Sequence, residues 1–568
     1  MGIKFFYKWL SQKYPQCING FTKSSIPTDV AVDVFMIDMN GLFHNSAQRV
    51  FKYGNGASKS VLRRPEKVPY NSYTRMRVFE DVVKTIDSLV AIVHPSKTIV
   101  LAVDGVAPAS KMNQQRQRRF RSSMTETDLL AFDPICITPG TVFMDLLSKY
   151  IDWYIRKRIS ESDYWASLQV IFSNEKQPGE GEHKLIDYIR KYGTDEDTYC
   201  INALDADLVM LSLSTFKPKV YLLREDLYSH KYDYSYVSIG RLHVELKKTL
   251  MWKDESDKLI KDFILICFLC GNDFLPNIPS ISIIENGLDY IIDMYKASCK
   301  SSDSYIVGDT NKINLGIFKT FLKNVGLSEE GMLCQKAINK NEYIPDPLFE
   351  TYTSTSQISV VMHDQTCIDQ NIVVIDLDGY KVAYYEKKHI KSVVSASHDY
   401  LDGCQWVLTY YLSGIDDWSW VYPYSYAPFA MEISESIDTY KPRYINRKTP
   451  ITPFEQLLCV IPPKSANLLP HPLNELLTSR KFSMFCPQEV IVNCDGKKYE
   501  YEGVVELPIV DIGVVRREFD NLKSKIDAKE MRRNFIGKTF SYTRSEFVEI
   551  FSSYYGNIKD HKVNIKIL

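Results

Sequence analysis

The sequence predicts an α/β protein built on a twisted, mostly parallel sheet flanked by helices. Short, β-branched, nearly continuous apolar runs recur through the first half: VAVDVFMID, KTIVLAVD, SLQVIFS and TYCINALD. Strands buried on both faces of a parallel sheet read in this way. Amphipathic stretches such as FEDVVKTIDSLVAIV and VFMDLLSKYIDWYIRKRI separate them, the alternation that covers such a sheet with helices. Three of the runs close on an acidic residue, where open α/β sheets place their ligands.

The alternation continues to about residue 295, so residues 1–295 are expected to form one α/β domain. Residues 296–378 read as a linker and helical segment, with SSDSYIVGDTNK loop-like and NEYIPDPLFETYTSTSQ of linker composition. Residues 379–568 change texture to aromatic- and proline-rich blocks, among them QWVLTYYLSGIDDWSWVYPYSYAPF, followed by a tail. A chain of 568 residues has room for these parts and for a substantial core.

Bulk composition excludes several classes. With 45% apolar and 24% charged residues the chain is that of an ordinary soluble globular protein. A net charge of −1 gives no general attraction to nucleic acid, so any polyanion site must come from local clustering. The 37 Tyr and 27 Phe would serve base stacking or an aromatic core equally. The 12 Cys follow no zinc-ligand spacing; Cys267 and Cys270, inside FILICFLC, are expected to be buried helix residues. Scattered thiols and an N-terminus unlike a secretory signal suggest a reducing compartment. The longest apolar run is about half of what a membrane span needs. The expectation is a soluble, intracellular protein with no membrane partner; RKR at 156–158 is too short to specify nuclear import, so the cytoplasm is preferred.

The chemistry-bearing feature is a set of seven carboxylates: Asp38, Asp104, Glu180, Glu182, Asp205, Asp207 and Asp273. An isolated DxD or ExE is ordinarily a helix cap or an exposed turn. Acids recurring in five segments, most at the end of an apolar run, are costly unless cations hold them, and convergence on divalent metal is the economical account. Asp and Glu without His or Cys suit Mg²⁺ or Mn²⁺. Two such ions could activate water and stabilise the leaving oxygen of a phosphodiester. Asp205 and Asp207, at i and i+2, would share one face of a strand end.

A second cluster, KMNQQRQRRFR at 111–121, holds five basic residues and no acid. On a helix, Lys111, Gln115, Arg118 and Arg119 fall within an arc of about 100°. A point cation, an amide and two guanidinium forks suit a terminal phosphate better than a base edge. The cluster begins seven residues after Asp104, so a phosphate pocket and the metal site should be neighbours.

Together these blocks resemble the XRN family of 5′-to-3′ exoribonucleases. The resemblance runs through MGIKFFYKWLSQKYP, IDMNGLFH, AVDGVAPASKMNQQRQRRFRS, CITPGTVFM, PGEGEHK, LDADLVML and GNDFLP. It resumes at YYEKKH, GCQWVLTYYLSGIDDWSWVYPYSYAP, PFEQLLCVIPP and VVELPIVD. It implies a flap-nuclease-like (PIN-type) sheet with the second block packed around the active site. By resemblance the seven acids are catalytic metal ligands for two Mg²⁺ ions. Lys111, Gln115, Arg118 and Arg119 match the pocket for a 5′-monophosphate, and His44 matches the residue that stacks on the 5′-terminal base. Trp418 or Trp420 is the candidate for its aromatic partner. The implied activity is processive 5′-to-3′ degradation of single-stranded, 5′-monophosphorylated RNA to mononucleotides, by a monomeric enzyme of RNA decay. The chain would be a compact nuclease core without the long C-terminal extension of the family's large cytoplasmic members.

The chain departs from the family pattern at four positions that bear on the site. Lys4 directly follows Ile3 where the family has an intervening Pro, and Ala109 replaces a basic residue beside the pocket. Ser425 stands for the usual His of YPYHYAP, and Tyr501 for the usual Trp near VVELP. No metal ligand is lost. Two other readings compete: a flap or nick endonuclease on DNA, which the second block argues against, and an RNA-binding scaffold, which the complete acid set argues against.

Overall fold

The computed structural model describes residues 2–27, 29–54, 68–125, 132–202, 207–226, 231–361, 367–443, 448–487 and 489–568. Its strands are β1 (Ile18–Phe21), β2 (Val34–Asp38), β3 (Thr98–Ala102), β4 (Gln169–Ser173), β5 (Tyr199–Asn202), β6 (Val220–Glu225) and β7 (Tyr234–Ser238). They continue with β8 (Thr353–Val361), β9 (Cys367–Ile375), β10 (Ile491–Asn493), β11 (Val504–Glu506), β12 (Phe540–Phe551) and β13 (Ile558–Ile567). Nine of them form one sheet in the order β1-β7-β6-β5-β2-β3-β4-β12-β13. The central β6-β5-β2-β3-β4 unit is parallel and the outer pairings are antiparallel. The four runs named above supply β2, β3, β4 and β5.

Period-2 alternation sends successive side chains to opposite faces. Val34, Met36, Val100 and Ala102 enter one core, which also holds the helix Lys258–Cys267 and the long helix Val393–Ser413. Phe35, Ile37, Ile99 and Leu101 enter the other, closed by the helices Ser72–Val93 and Val142–Glu161. The chain leaves β2 for β3 and β4 on one side and returns to β5 on the other. Their C-terminal ends therefore border a topological switch point, the crevice in which open α/β sheets hold ligands.

A third core joins the basic helix Ala109–Thr125, through Met112 and Phe120, to Phe454, Leu457, Phe482, Phe485 and Val515 of the second block. Several local readings change. The stretch 315–338 is helical (Leu315–Gly326 and Glu329–Ile338), and NEYIPDPLFETYTSTSQ contributes the short helix Pro347–Thr351 and the start of β8. Cys267 is buried at a helix end, but Cys270 is only partly buried, in a 3₁₀ turn. The tail folds back: β12 pairs antiparallel with β4 and extends the central sheet. Among the described residues, no helix is long and apolar enough to cross a membrane.

Candidate active site

Asp38 ends β2 and caps the helix Met39–Phe51, its Oδ1 accepting the Asn40 amide at 3.3 Å. Asp104 lies two residues beyond β3. Its Oδ2 accepts from Asn40 Nδ2 at 2.8 Å, and its Oδ1 from the Gly181 amide at 2.6 Å. Its own amide donates to Asn40 Oδ1 at 3.0 Å. Glu180 borders the N-terminus of the helix Gly181–Tyr192 and Glu182 lies in its first turn, an end where the helix dipole favours negative charge. A Cβ on Gly181 would stand 2.6 Å from Asp38 Oδ1 and 3.1 Å from the Ala102 carbonyl, so glycine lets the helix start lie close against the ends of β2 and β3.

Lys111, on the basic helix, joins this group to Asp273. Its Nζ lies 2.5 Å from Glu180 Oε2 and 2.8 Å from Asp273 Oδ2. Asp273 is presented by a tight turn after Gly271 (φ 84°), in which Asn272 Oδ1 accepts the amides of Phe274 and Leu275 at 2.8 and 2.9 Å. The Gly2 amide donates to Asp273 Oδ1 at 3.1 Å. Asp207 presses on the same glycine; a Cβ on Gly2 would fall 1.2 Å from its Oδ1. Asp207 is the first residue of the helix Asp207–Leu213 and not a strand residue, so a shared strand face does not describe it. Asp205 lies outside the described residues. Five of the seven predicted acids are thus drawn together through Asn40, Gly181, Lys111 and Gly2, and Glu182 offers a ligand atom within 4.8 Å of one on Glu180.

Burial pushes the Glu180 carboxyl up, and Asp104 adds to the rise against the opposing pull of Lys111. Burial would raise Asp273 too, but Lys111 first, with the chain's amino terminus and Arg118, together outweigh it and hold the group at about 2. Burial alone would lower Lys111; Asp273, Glu180, Glu182 and Asp207 instead drive it well above its ordinary value. Lys184, half-buried nearby, donates to the carbonyls of Val103 and Asn174 at 2.6 and 3.0 Å. Crowded carboxylates of this kind are costly without compensating positive charge, and an oxygen-rich donor set fits a hard divalent cation. Glu180, Glu182 and His183 each offer a ligand atom within 4.8 Å of the others.

One contact was not legible in the sequence. Tyr410, from the long helix of the second block, donates to Glu180 Oε1 at 2.6 Å. Its ring stacks on His183 at 3.7 Å with planes 12° apart. His183 is buried, and burial followed by Arg190 and Lys111 keeps its ring neutral. Tyr410→Phe removes a donor from a buried carboxylate and leaves the packing. The unmet acceptor costs about 1–3 kcal/mol, or roughly 5- to 150-fold in whatever Glu180 supports. We expect a higher Mg²⁺ requirement in metal-induced thermal stabilisation; an unchanged requirement would count against a role for the hydroxyl.

The basic helix is not a solvated face. Arg116 donates to the carbonyls of Pro508 and Phe485, and Arg121 to those of Tyr501 and Gly503, fastening the helix to the second block. The predicted phosphate face is left with a different balance. Lys111 is engaged by Glu180 and Asp273, Arg118 is exposed, and Arg119 Nη2 donates to Thr138 Oγ1 at 2.9 Å. Arg119 Nη1 and Gln115 Oε1 are buried without a hydrogen-bond partner among the described residues. Arg119 Nη1 is a donor that an anionic ligand would satisfy, whereas Gln115 Oε1 is an acceptor that calls for a donor such as a ligand hydroxyl. Burial, then Arg118, brings the Arg119 guanidinium down to about 9. Half-buried His44, on the helix after β2, is brought to about 4 by burial and then by Arg118 and Arg119, so its ring is neutral at pH 7.

The two tryptophans differ. Trp420 stacks on Trp406 (4.8 Å, 25°) and packs against the first core. Trp418 is half-buried, its carbonyl accepts the Ala109 amide at 2.9 Å, and its ring has no aromatic partner among the described residues.

An open α/β sheet with carboxylates gathered at its switch point, flanked by a cationic helix, is an arrangement able to hold a divalent cation beside a phosphate. Comparison with known proteins gives the family. The model of the XRN 5′-3′ exonuclease N-terminus matches residues 1–226, and that of the Xrn1 helical domain matches 253–373 and 362–567. The chain belongs to the XRN family. It is 30% identical to human 5′-3′ exoribonuclease 1 over 94% of its length and 35% of the relative's. It is 27% identical to the Drosophila melanogaster 5′-3′ exoribonuclease 2 homolog over 96% and 74%, and 27% to Saccharomyces cerevisiae 5′-3′ exoribonuclease 1 over 98% and 46%. The chain thus spans about a third to three quarters of the length of these relatives. Among solved structures, the catalytic core of Rad2 in complex with DNA substrate aligns at 15% identity and a TM-score of 0.32, over 61% of this chain and 83% of that one.

Proposed function

We propose that the chain is a divalent-metal-dependent 5′-to-3′ exoribonuclease acting on single-stranded RNA with a 5′-monophosphate. The observation that carries this reading is the juxtaposition of the carboxylate cluster with a cationic helix whose buried Arg119 Nη1 lacks a partner among the described residues, the two joined by Lys111. Membership of the XRN family and relatives named 5′-3′ exoribonuclease support it.

Asp38, Asp104, Glu180, Glu182, Asp207 and Asp273, with Asp205, would hold the metal, Mg²⁺ by preference and two ions by the number of acids. Bound there, the metal supplies an activated water and charge neutralisation at the scissile phosphodiester. Gln115, Arg118 and Arg119 receive the 5′-phosphate. A cap or triphosphate would bring bulk and charge that these few donors cannot match. Neutral His44 and the ring of Trp418 stack the first base, which reads no sequence and lets each shortened end re-engage. Lys111 positions Glu180 and Asp273 and sets the distance between phosphate and metal.

The reading is tested with one RNA carrying a monophosphate, hydroxyl or triphosphate at its 5′ end and a label at its 3′ end, in Mg²⁺, with Asp207→Asn in parallel. We expect loss of the monophosphate RNA alone and no loss with the variant. Equal decay of all three, or internal fragments, would favour the endonuclease reading.

The tryptophans give a second test. Trp418→Ala should leave melting unchanged and weaken binding of the 5′-phosphorylated RNA by about 1–3 kcal/mol, the worth of one stacked base. Trp420→Ala should instead lower stability by roughly 2–3 kcal/mol, because it opens a cavity beside Trp406. The opposite pattern would assign stacking to Trp420.

A further inference from the structure

The basic helix Ala109–Thr125 has a second face. Ala109, Met112, Asn113 and Arg116, at i, i+3, i+4 and i+7, share it and line a cavity of about 300 Å³ between this helix and the second block. Val421, Cys459 and the segment Ile509–Gly513 form the far wall. None of the acids, and none of the residues assigned to the 5′-phosphate or the first base, lines this cavity.

The floor is apolar. Met112 and Cys459 are buried, and burial above all pushes the Cys459 thiol up to about 12, so it stays neutral. Arg116 is buried as well, and its guanidinium is engaged elsewhere. It donates to the carbonyls of Pro508, at 2.6 Å, and Phe485, and lies over the Phe120 ring. Ala109 is the position at which the chain departs from a basic residue, and its methyl group leaves open a space that a longer side chain would fill.

The polar groups around this floor are unmatched. Between β11 and the helix Ile512–Leu522 the chain runs through Leu507–Asp511 outside any regular element. Pro508 holds Leu507 extended, and Asp511 is extended too (φ −77°, ψ 104°). The backbone amides and carbonyls of Ile509 and Val510, both half-buried, have no hydrogen-bond partner among the described residues. The side-chain amide of half-buried Asn113 has none either. Asp511 Oδ1 caps the following helix, accepting the amides of Gly513 and Val514 at 2.7 and 3.3 Å. Among the described residues no cation lies within ion-pair distance of its carboxylate. Backbone groups without partners are a template for an added strand, and an apolar recess beside them selects the side chain that fits. A carboxylate at the rim adds a preference for a cation.

We propose that this cavity docks an extended peptide of a partner protein. A bulky apolar side chain enters beside Ala109 and Met112, the peptide backbone pairs with Ile509 and Val510, and a flanking Lys or Arg meets Asp511. The volume, at the small end of ligand pockets, admits one aromatic side chain. The Ala109 amide donates to the Trp418 carbonyl at 2.9 Å, so a guest here also presses on the segment that carries the proposed stacking ring. The docking site itself does not rest on the exonuclease reading.

The test titrates the full chain, in Mg²⁺, against fluorescein-labelled pentapeptides of sequence RVFVR, RVAVR and EVFVE, read by anisotropy. We expect RVFVR to saturate and RVAVR to bind about tenfold more weakly, for want of the buried ring. EVFVE should bind about fivefold more weakly than RVFVR, because its charges oppose Asp511. Ala109→Leu should fill the cavity and weaken RVFVR about tenfold. Asp511→Asn keeps the helix cap and should bring RVFVR and EVFVE within about twofold of each other. Its position is exposed, so the proposal stays testable if Ala109→Leu misfolds. Failure of RVFVR to saturate by about 1 mM, or equal binding of the peptides, overturns the proposal. So does an RVFVR affinity that neither substitution changes, because the peptide then sits elsewhere. A single-stranded RNA whose own affinity falls as far as the peptide's in Ala109→Leu also overturns it, because the cavity is then part of the RNA path.

Discussion

Asp38→Asn is expected to reduce exonuclease turnover about a thousandfold or more while leaving the fold intact. The residue has two jobs that the substitution separates. As an N-cap its Oδ1 accepts the Asn40 amide, and asparagine caps a helix as well as aspartate does, so stability should change by less than about 1 kcal/mol. As a carboxylate it faces Gly181 and Asp104 in the crowded acid group, where loss of its charge weakens the hold on a divalent ion. Loss of roughly 4 kcal/mol of metal-derived stabilisation in the transition state corresponds to that thousandfold drop. A readout independent of turnover is thermal stabilisation by Mg²⁺, which rises with ligand concentration over Kd. Wild type should melt higher as Mg²⁺ is added and fall back with chelator; Asp38→Asn should need much more Mg²⁺ for the same gain. Turnover within tenfold of wild type at saturating Mg²⁺ would remove Asp38 from the metal site.

The parts of this site that the sequence displayed are those held by local structure. Asp38 and Asp104 could be seen because each follows an apolar strand, and β2 and β3 are neighbours in a parallel register that brings their ends level. The 180–182 pair could be seen only in the company of the other acids, because an isolated ExE is ordinarily a helix cap or an exposed turn. Asp207 misled, because i, i+2 spacing is compatible with a strand end or with a helix start, and the helix formed. Lys111 was assigned to phosphate from its arc on the helix; its contacts to Glu180 and Asp273 depend on a turn 162 residues away. Tyr410 lies 230 residues from Glu180, and no periodicity could pair them. The C-terminal hairpin reads as a tail because β12 is mostly exposed after its first residues and carries a weak apolar signal. Its pairing with β4 is a property of the assembled sheet edge.

Lys111→Met should carry the largest stability cost, and the cost should depend on pH and metal. The ammonium is 13% exposed, between carboxylates that are each 5% exposed, so its removal leaves two buried charges opposed. Breaking a buried ion pair by deleting one partner typically costs about 3–5 kcal/mol. The sign with pH follows from Asp273. In wild type its carboxyl is held at about 2, below its ordinary value near 3.8. That depression contributes stability which is fully present above the ordinary value and is lost as pH falls towards 2. Without Lys111, burial at Asp273 is opposed only by the more weakly acting chain amino terminus and Arg118, so its carboxyl rises from about 2, and the Glu180 carboxyl, already raised, moves further up. The folded variant then binds more protons than the unfolded chain, and its stability falls as pH rises from about 4 into the neutral range. Urea or thermal melts in chelator should therefore show a deficit that is small near pH 5 and grows by pH 7.5. Mg²⁺ should recover part of it, because a divalent ion can replace the missing charge between Glu180 and Asp273. Equal melting of variant and wild type at pH 7.5 without metal would show that Lys111 does not hold these acids together. A deficit that Mg²⁺ cannot reduce would place Glu180 and Asp273 outside the metal's reach.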